Sequence, residues 1–260
     1  MKNLVKIIAA TVLLLSLTIA HVGSASASTP AKIMWGKTEL KIGQIGKVTI
    51  LEDTPLVKIT SDGKLTTVRT LKKGDEYRVY SYKSTFNGLY GVGAGSFVQK
   101  NSKLKYETPS KKKLEILGFQ KLFQEARAKQ LTTITGYHTK QDILTLFNPY
   151  FTEEFTSQFI SNSMLTKDIN GVTHYHFPQN TDNINDNFLV EGNFAWTEKT
   201  SIMHYQAPSV DKDNNKGTEN LVKISEYRNW DEFVKPHTYT IKLLKIDNKT
   251  YKIVEIQKQY

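Results

Sequence analysis

Cysteine is absent from all 260 residues, so no disulfide staples the chain and no cysteine nucleophile is available. Each core must hold by packing alone. The Gly-x-Ser-x-Gly elbow of serine hydrolases and the His-Glu-x-x-His helix of zinc proteases are also missing. Paired carboxylates occur somewhere in any chain with 25 acidic residues, so their presence assigns no catalytic pair. After Ala20 no apolar run approaches the roughly 20 residues that span a bilayer, and no membrane span is expected. The chain offers no Cys for lipid attachment and ends without a sorting motif. These absences point away from an enzyme, and no catalytic residue, metal or cofactor is assigned.

What is present begins at the N-terminus. Lys2 and Lys6 precede the apolar run Ile7 to Ala20, and Ala25-Ser26-Ala27 has the small-x-small pattern that signal peptidase cuts. Residues 1–27 therefore read as a secretory signal peptide, and the rest as an exported chain. A cysteine count of zero suits a Gram-positive exoprotein better than a small eukaryotic one. The remaining 233 residues suffice for two domains, expected at 31–108 and 109–260. Charge divides the same way. From Lys32 to Lys113 there are 17 basic and 7 acidic residues, net +10; from Leu114 to Tyr260 there are 16 and 18, net −2. Such asymmetry argues for two units with different partners. The anions open to an exported basic surface are wall teichoic acids, lipid headgroups and extracellular DNA; a merely soluble lysine-rich surface is the plain alternative.

Residues 31–108 read as short strands broken by turns. Gly46 to Leu51 is a strand, Asp53-Thr-Pro55 a turn, and Ser61-Asp-Gly63 a hairpin connection. Leu65 to Leu71 is a strand, Lys72-Lys-Gly-Asp75 a turn, and Glu76 to Tyr82 alternates with period two. Leu89 to Val98 follows, with Gly91, Gly93 and Gly95 expected on one strand face. Five or six short strands in this length predict a small barrel. The run Leu65 to Tyr80, closed by Tyr90-Gly-Val-Gly and Phe97-Val98, resembles the bacterial SH3-like domains of exported wall-associated proteins. In that family a turn of leucine, two basic residues and glycine precedes the strand that crosses the barrel. Here Ser96-Phe97-Val98 replaces the usual closing Gly-Trp-Val motif. The resemblance implies a wall polymer (teichoic acid or peptidoglycan), a wall peptide or another envelope protein as partner, and nucleic acid is not expected. Lys72, Lys73 and Arg78 are the candidate ligand-binding cations, with Tyr80, Tyr82 and Tyr90 as contact aromatics.

Glu107 to Lys113 is the hinge, where Thr108 or Ser110 can cap a helix buried through Ile116, Phe119, Leu122, Phe123 and Ala126. A second helix starts at Thr139 with Asp142 as capping-box partner and ends at Asn148-Pro149. A third covers Phe151 to Met164, capped by Thr152, with Glu153 and Glu154 where the helix dipole favours anions. From Gly171 the pattern turns to strands: Val172 to Phe177, Glu198 to Gln206, Glu219 to Tyr227, Thr238 to Ile246 and Tyr251 to Ile256. Helices followed by an antiparallel sheet predict an α+β unit. It resembles the NTF2-like and cystatin-like folds. The two halves together resemble a functionally uncharacterised family of secreted proteins of Gram-positive bacilli, a resemblance that brings a fold and no activity.

Other candidate sites compete with simpler readings. His174 and His176 share a strand face suited to a metal, with His204 or Glu226 as third ligand, but surface histidines are the commoner case. Asp211 to Gly217 is calcium-loop-like, yet its twelfth position is Val222, so a solvated loop is preferred. Trp196, Tyr205 and Trp230, with Phe233 and Tyr239, either line a ligand pocket or fill the core. The leading expectation is a non-enzymatic, envelope-associated binding protein. A small-molecule carrier or sensor and a wall-polymer hydrolase are the alternatives.

Overall fold

The structure, a computed structural model, describes residues 32–178, 187–189, 194–210, 214–229 and 235–260. The expected signal peptide at 1–27, Asp211 to Asp213, Trp230 and Phe233 lie outside the described residues.

Residues 34–107 hold ten strands: β1 (Met34–Trp35), β2 (Thr38–Glu39), β3 (Gly46–Ile50), β4 (Thr54–Ile59), β5 (Leu65–Leu71), β6 (Glu76–Val79), β7 (Ser81–Lys83), β8 (Leu89–Gly93), β9 (Ser96–Gln99) and β10 (Leu104–Glu107). β1 and β2 form a small hairpin, and the rest make a three-stranded sheet, order β10-β3-β6, and a five-stranded sheet, order β5-β4-β9-β8-β7. Val48, Ile50, Leu56, Leu71, Val79, Tyr90, Val98 and Leu104 pack between these two sheets. Val57, Leu89 and Phe97 form a smaller cluster of their own.

Three details differ from the sequence reading. The expected strand Glu76 to Tyr82 splits at Tyr80, so that β6 joins one sheet and β7 the other. Leu89 to Val98 is a hairpin rather than one strand, because Gly93, Ala94 and Gly95 take φ of 103°, 49° and 67° and turn the chain. Pro55 is the second residue of β4 instead of part of a turn; β9 pairs only from Leu56 onward, so no ladder N–H is asked of the proline on that side.

The second half opens with helix α1 (Lys111–Thr132), whose N-terminus is capped by Ser110 Oγ accepting from the Lys113 amide at 3.2 Å. After β11 (His138–Thr139) comes α2 (Lys140–Phe147), started by the expected capping box of Thr139 and Asp142. α3 (Glu153–Ser163) is capped by Thr152 and carries Glu153 and Glu154 in its first turn. β12 (Leu165–Ile169) and β13 (Val172–His176) complete a three-stranded sheet with β11. β14 (Ser201–Val210), β15 (Lys216–Arg228), β16 (His237–Lys245) and β17 (Tyr251–Gln259) form an antiparallel sheet in that order, with a bulge at Lys242/Leu243.

One face of the four-stranded sheet gives Val222, Ile224, Tyr239, Ile241, Leu243, Ile253 and Ile256 to a core shared with Phe119, Phe123, Phe147, Phe155 and Phe159 from the helices. The halves meet at the β1–β2 hairpin, where Ile33 and Leu40 bury with Ile116 of α1, beside Trp35, Leu117, Trp196 and Ile202. Among the described residues no helix is long and apolar enough to cross a membrane.

Candidate functional site

β7 and β8 pair with Tyr82 directly opposite Tyr90. Successive side chains of a strand point to opposite faces, so these two rings share the face that also holds Val98. The Tyr82 and Tyr90 centroids lie 5.4 Å apart at 49°. Tyr90 in turn stacks on Tyr106 of β10, at 4.6 Å and 9°, which carries the aromatic row from one sheet to the other. Tyr106 is fixed by donating its hydroxyl to the Ile45 carbonyl at 3.1 Å.

Two glycines make room for this row. A Cβ on Gly46 of β3 would collide with the Tyr106 ring. One on Gly88 would lie 2.6 Å from the Tyr82 hydroxyl. Burial pushes the Tyr90 phenol pKa up, and the neighbouring Tyr82 and Tyr106 add to the effect.

The outer end of the row is open to solvent: Tyr82 is 49% exposed, and Tyr80 and Phe86 are exposed beside it in sequence. Phe86 sits in the single 3-10 turn that joins β7 to β8, where it and Asn87 take φ of 56° and 61°. Non-glycine residues rarely adopt such values, so the turn holds the exposed Phe86 ring in a strained backbone. Gln99 braces the turn by donating its amide to the Phe86 carbonyl at 2.8 Å. Lys100 borders the row, since a Cβ on Gly88 would lie 3.2 Å from its own Cβ, whereas Lys83, next to Tyr82 in β7, points to the opposite face; neither has a carboxylate within 4.0 Å among the described residues. Lys83 instead stands 5.4 Å over the Phe97 ring.

The structure thus brings Tyr82 and Tyr90 together and sets the candidate cations apart from them. The Lys72–Asp75 turn precedes β6, whereas Tyr80 follows it. Lys72 pairs with Asp53 at 2.6 Å, and the same carboxylate accepts the Lys73 amide at 3.0 Å. Arg78 donates from Nε to the Glu39 carbonyl at 2.5 Å and so ties β6 to the β1–β2 hairpin. Among the described residues the Lys73 ammonium has no partner, whereas Lys72 and Arg78 each hold a contact within the fold. Sequence reasoning passed over Tyr106 and Phe86. Tyr106 had a usable signal, a period-two strand Leu104-Lys-Tyr106 after the last turn.

In the second half, the partly buried Trp196 packs against the core through Phe123 (5.2 Å) and Phe194 (4.8 Å). Tyr239 is 3% exposed and meets Phe194 edge-on. Tyr205 pairs with Leu221, next in sequence to core-facing Val222, so it stands on the sheet face away from the helices. The four residues weighed as metal ligands do not converge. His174 and His176 bond the Val172 and Gly136 carbonyls, His204 pairs with Glu115 at 3.3 Å, and Glu226 pairs with Arg228 at 2.8 Å. Among the described residues no three His, Asp or Glu side chains form a metal-sized group.

No family model, curated protein or solved structure matches the chain.

Proposed function

We propose that this chain is an exported, non-enzymatic binding protein of the cell envelope. Residues 31–108 would be an SH3-like barrel that holds an anionic or peptide-bearing wall polymer, and residues 109–260 an NTF2-like or cystatin-like unit that takes a second ligand. One observation carries the reading: the solvent-facing Tyr82 stands at the end of a buttressed tyrosine row, with exposed Tyr80 and Phe86 near it in sequence and Lys100, which has no carboxylate within 4.0 Å among the described residues, beside it. Flat, rigid rings bury area at little entropic loss, and unpaired ammonium groups attract phosphate or carboxylate along a polymer. The net charge of +10 between Lys32 and Lys113 acts in the same direction.

Co-sedimentation of residues 28–260 with purified walls, intact and stripped of teichoic acid, tests this. Binding is expected to weaken as salt rises past about 0.15 M, where surface charges are screened within about 8 Å. Replacing both Tyr82 and Phe86 with Ala should weaken it by about tenfold or more, the loss of roughly 1.4 kcal/mol or more typical of a contact aromatic. Absence of wall binding, or binding indifferent to both changes, would overturn the proposal. Loss on stripping identifies teichoic acid as the polymer; retention identifies peptidoglycan.

A further inference from the structure

Helix α1 places Glu115, Gly118, Phe119 and Leu122 at i, i+3, i+4 and i+7, one stripe along its surface. That stripe faces the turn between β16 and β17, and between them lies a cleft of about 170 Å³ lined by these four residues with Lys249 and Tyr251. Phe119, Leu122 and the Tyr251 ring make its apolar side. Phe119 is buried and meets the Tyr251 ring edge-on at 5.1 Å and 74°, and Leu122 packs against the same core. Gly118 forms an open floor, since a Cβ there would have no atom within 4 Å. No conformational need accounts for a glycine in mid-helix, where it costs about 1 kcal/mol against alanine.

Three polar groups of different kind border this space. Glu115 pairs with His204 through Oε1 at 3.3 Å, and its Oε2 has no partner among the described residues. The Tyr251 hydroxyl has no hydrogen-bond partner among the described residues, and its pKa is pushed up by burial first and by the Glu115 and Asp247 carboxylates after it. Lys249 sits in the β16–β17 turn, where its backbone amide donates to Asp247 at 2.7 Å, and its ammonium has no carboxylate within 4.0 Å among the described residues. A carboxylate, a phenol and an ammonium around a small apolar floor complement a molecule that carries both charges. The volume is well under the roughly 300–1,000 Å³ of drug-sized pockets.

We infer that the α1–β17 cleft binds a small zwitterion, an amino acid or short peptide terminus, with its ammonium on Glu115, its carboxylate on Lys249 and Tyr251, and its side chain over Gly118. The inference gives a ligand class to the second half of the protein and rests on that part of the proposed function only. His204 is a positioning residue that keeps Glu115 oriented toward the cleft.

The test is calorimetric titration of residues 28–260 with glycine, alanine and alanyl-alanine, and with acetate and methylammonium as single-charge halves. Saturable binding of at least one zwitterion, about tenfold or more tighter than either half, is expected, since two charge-assisted contacts act together only on the intact molecule. Lys249→Ala should weaken it by about tenfold or more. Gly118→Leu fills the floor and should abolish it, while helix content and unfolding temperature are kept or raised. Absence of saturation by all three zwitterions, equal binding of acetate, or undiminished binding by Gly118→Leu would overturn the inference. Wall co-sedimentation of Gly118→Leu separates the two proposals: it should match the unsubstituted protein whether or not the cleft binds anything.

Discussion

Tyr90 is 8% exposed, touches rings on both sides, and makes no hydrogen bond through its hydroxyl among the described residues. Its contribution is therefore packing. Tyr90→Ala should destabilise by about 3–5 kcal/mol, as for other large aromatic truncations, whereas Tyr90→Phe should change stability by less than about 1.5 kcal/mol. Denaturant midpoints of the two variants check both values. Glu226 presents the opposite chemistry. Its side chain is 6% exposed and accepts from the Ala195 amide at 2.9 Å, the Thr200 hydroxyl at 2.8 Å and Arg228 at 2.8 Å. Removing one partner of a buried pair strands the other, so Glu226→Ala should cost about 3–5 kcal/mol in the same measurement. The pair gives Glu226 a structural role in joining Ala195 and Thr200 to β15.

At the scale of elements, what is encoded locally is legible and what is encoded by distant pairing is not. All three helices start at residues readable in the sequence, since each cap acts within three positions: Ser110 on Lys113, Thr139 on Asp142 and Thr152 on Phe155. Thr139→Ala removes the hydroxyl half of its capping box, leaving only the backbone amide of residue 139 donating to Asp142, and should cost about 1–2 kcal/mol, seen as a lowered unfolding temperature; Thr139→Ser should restore most of it. The break at Tyr80 is different. Nothing in Glu76 to Tyr82 signals that Tyr80 leaves one sheet, because the deciding contact is its amide donating to the Gly91 carbonyl at 2.8 Å, on a strand not yet formed when the segment is read alone. The tyrosine row had the same obscurity: Tyr82 and Tyr90 were identified singly, but Tyr106 joins them only once β10 has paired with β3. Turn glycines at 93 and 95 misled for a related reason, since alternation of glycine suits a strand face as well as a two-residue turn.

At the scale of the whole molecule, the short β1–β2 hairpin is the coupling element. Toward the second half it buries Ile33 and Leu40 against Ile116. Toward the first half it is held by polar contacts: the Lys37 amide donates to Glu76 at 2.7 Å, the Lys37 ammonium to the Gly74 carbonyl at 2.9 Å, and Arg78 to Glu39. Full burial of three aliphatic side chains is worth roughly 1.5–3 kcal/mol each, a large part of the 5–15 kcal/mol that stabilises a typical domain. The two halves should therefore unfold in a single calorimetric transition, and Leu40→Ala, a loss of about 2–5 kcal/mol at a 1% exposed site, should split it into two. Two transitions in the unsubstituted protein would contradict the coupling. Acid should act on the other attachment. Burial alone would raise the pKa of Glu76, but hydrogen bonds from Lys47 at 2.8 Å and from the Lys37 amide outweigh it and hold the carboxyl below the ordinary value of 4.5. A carboxylate with a depressed folded pKa stabilises fully above its unfolded value and loses that contribution as pH falls through the folded one. The single transition should thus persist at neutral pH and begin to separate only as the pH drops below about 4.5. Glu76→Gln, which carries no charge at any pH, should show at neutral pH the weakened hairpin attachment that the unsubstituted protein reaches only in acid.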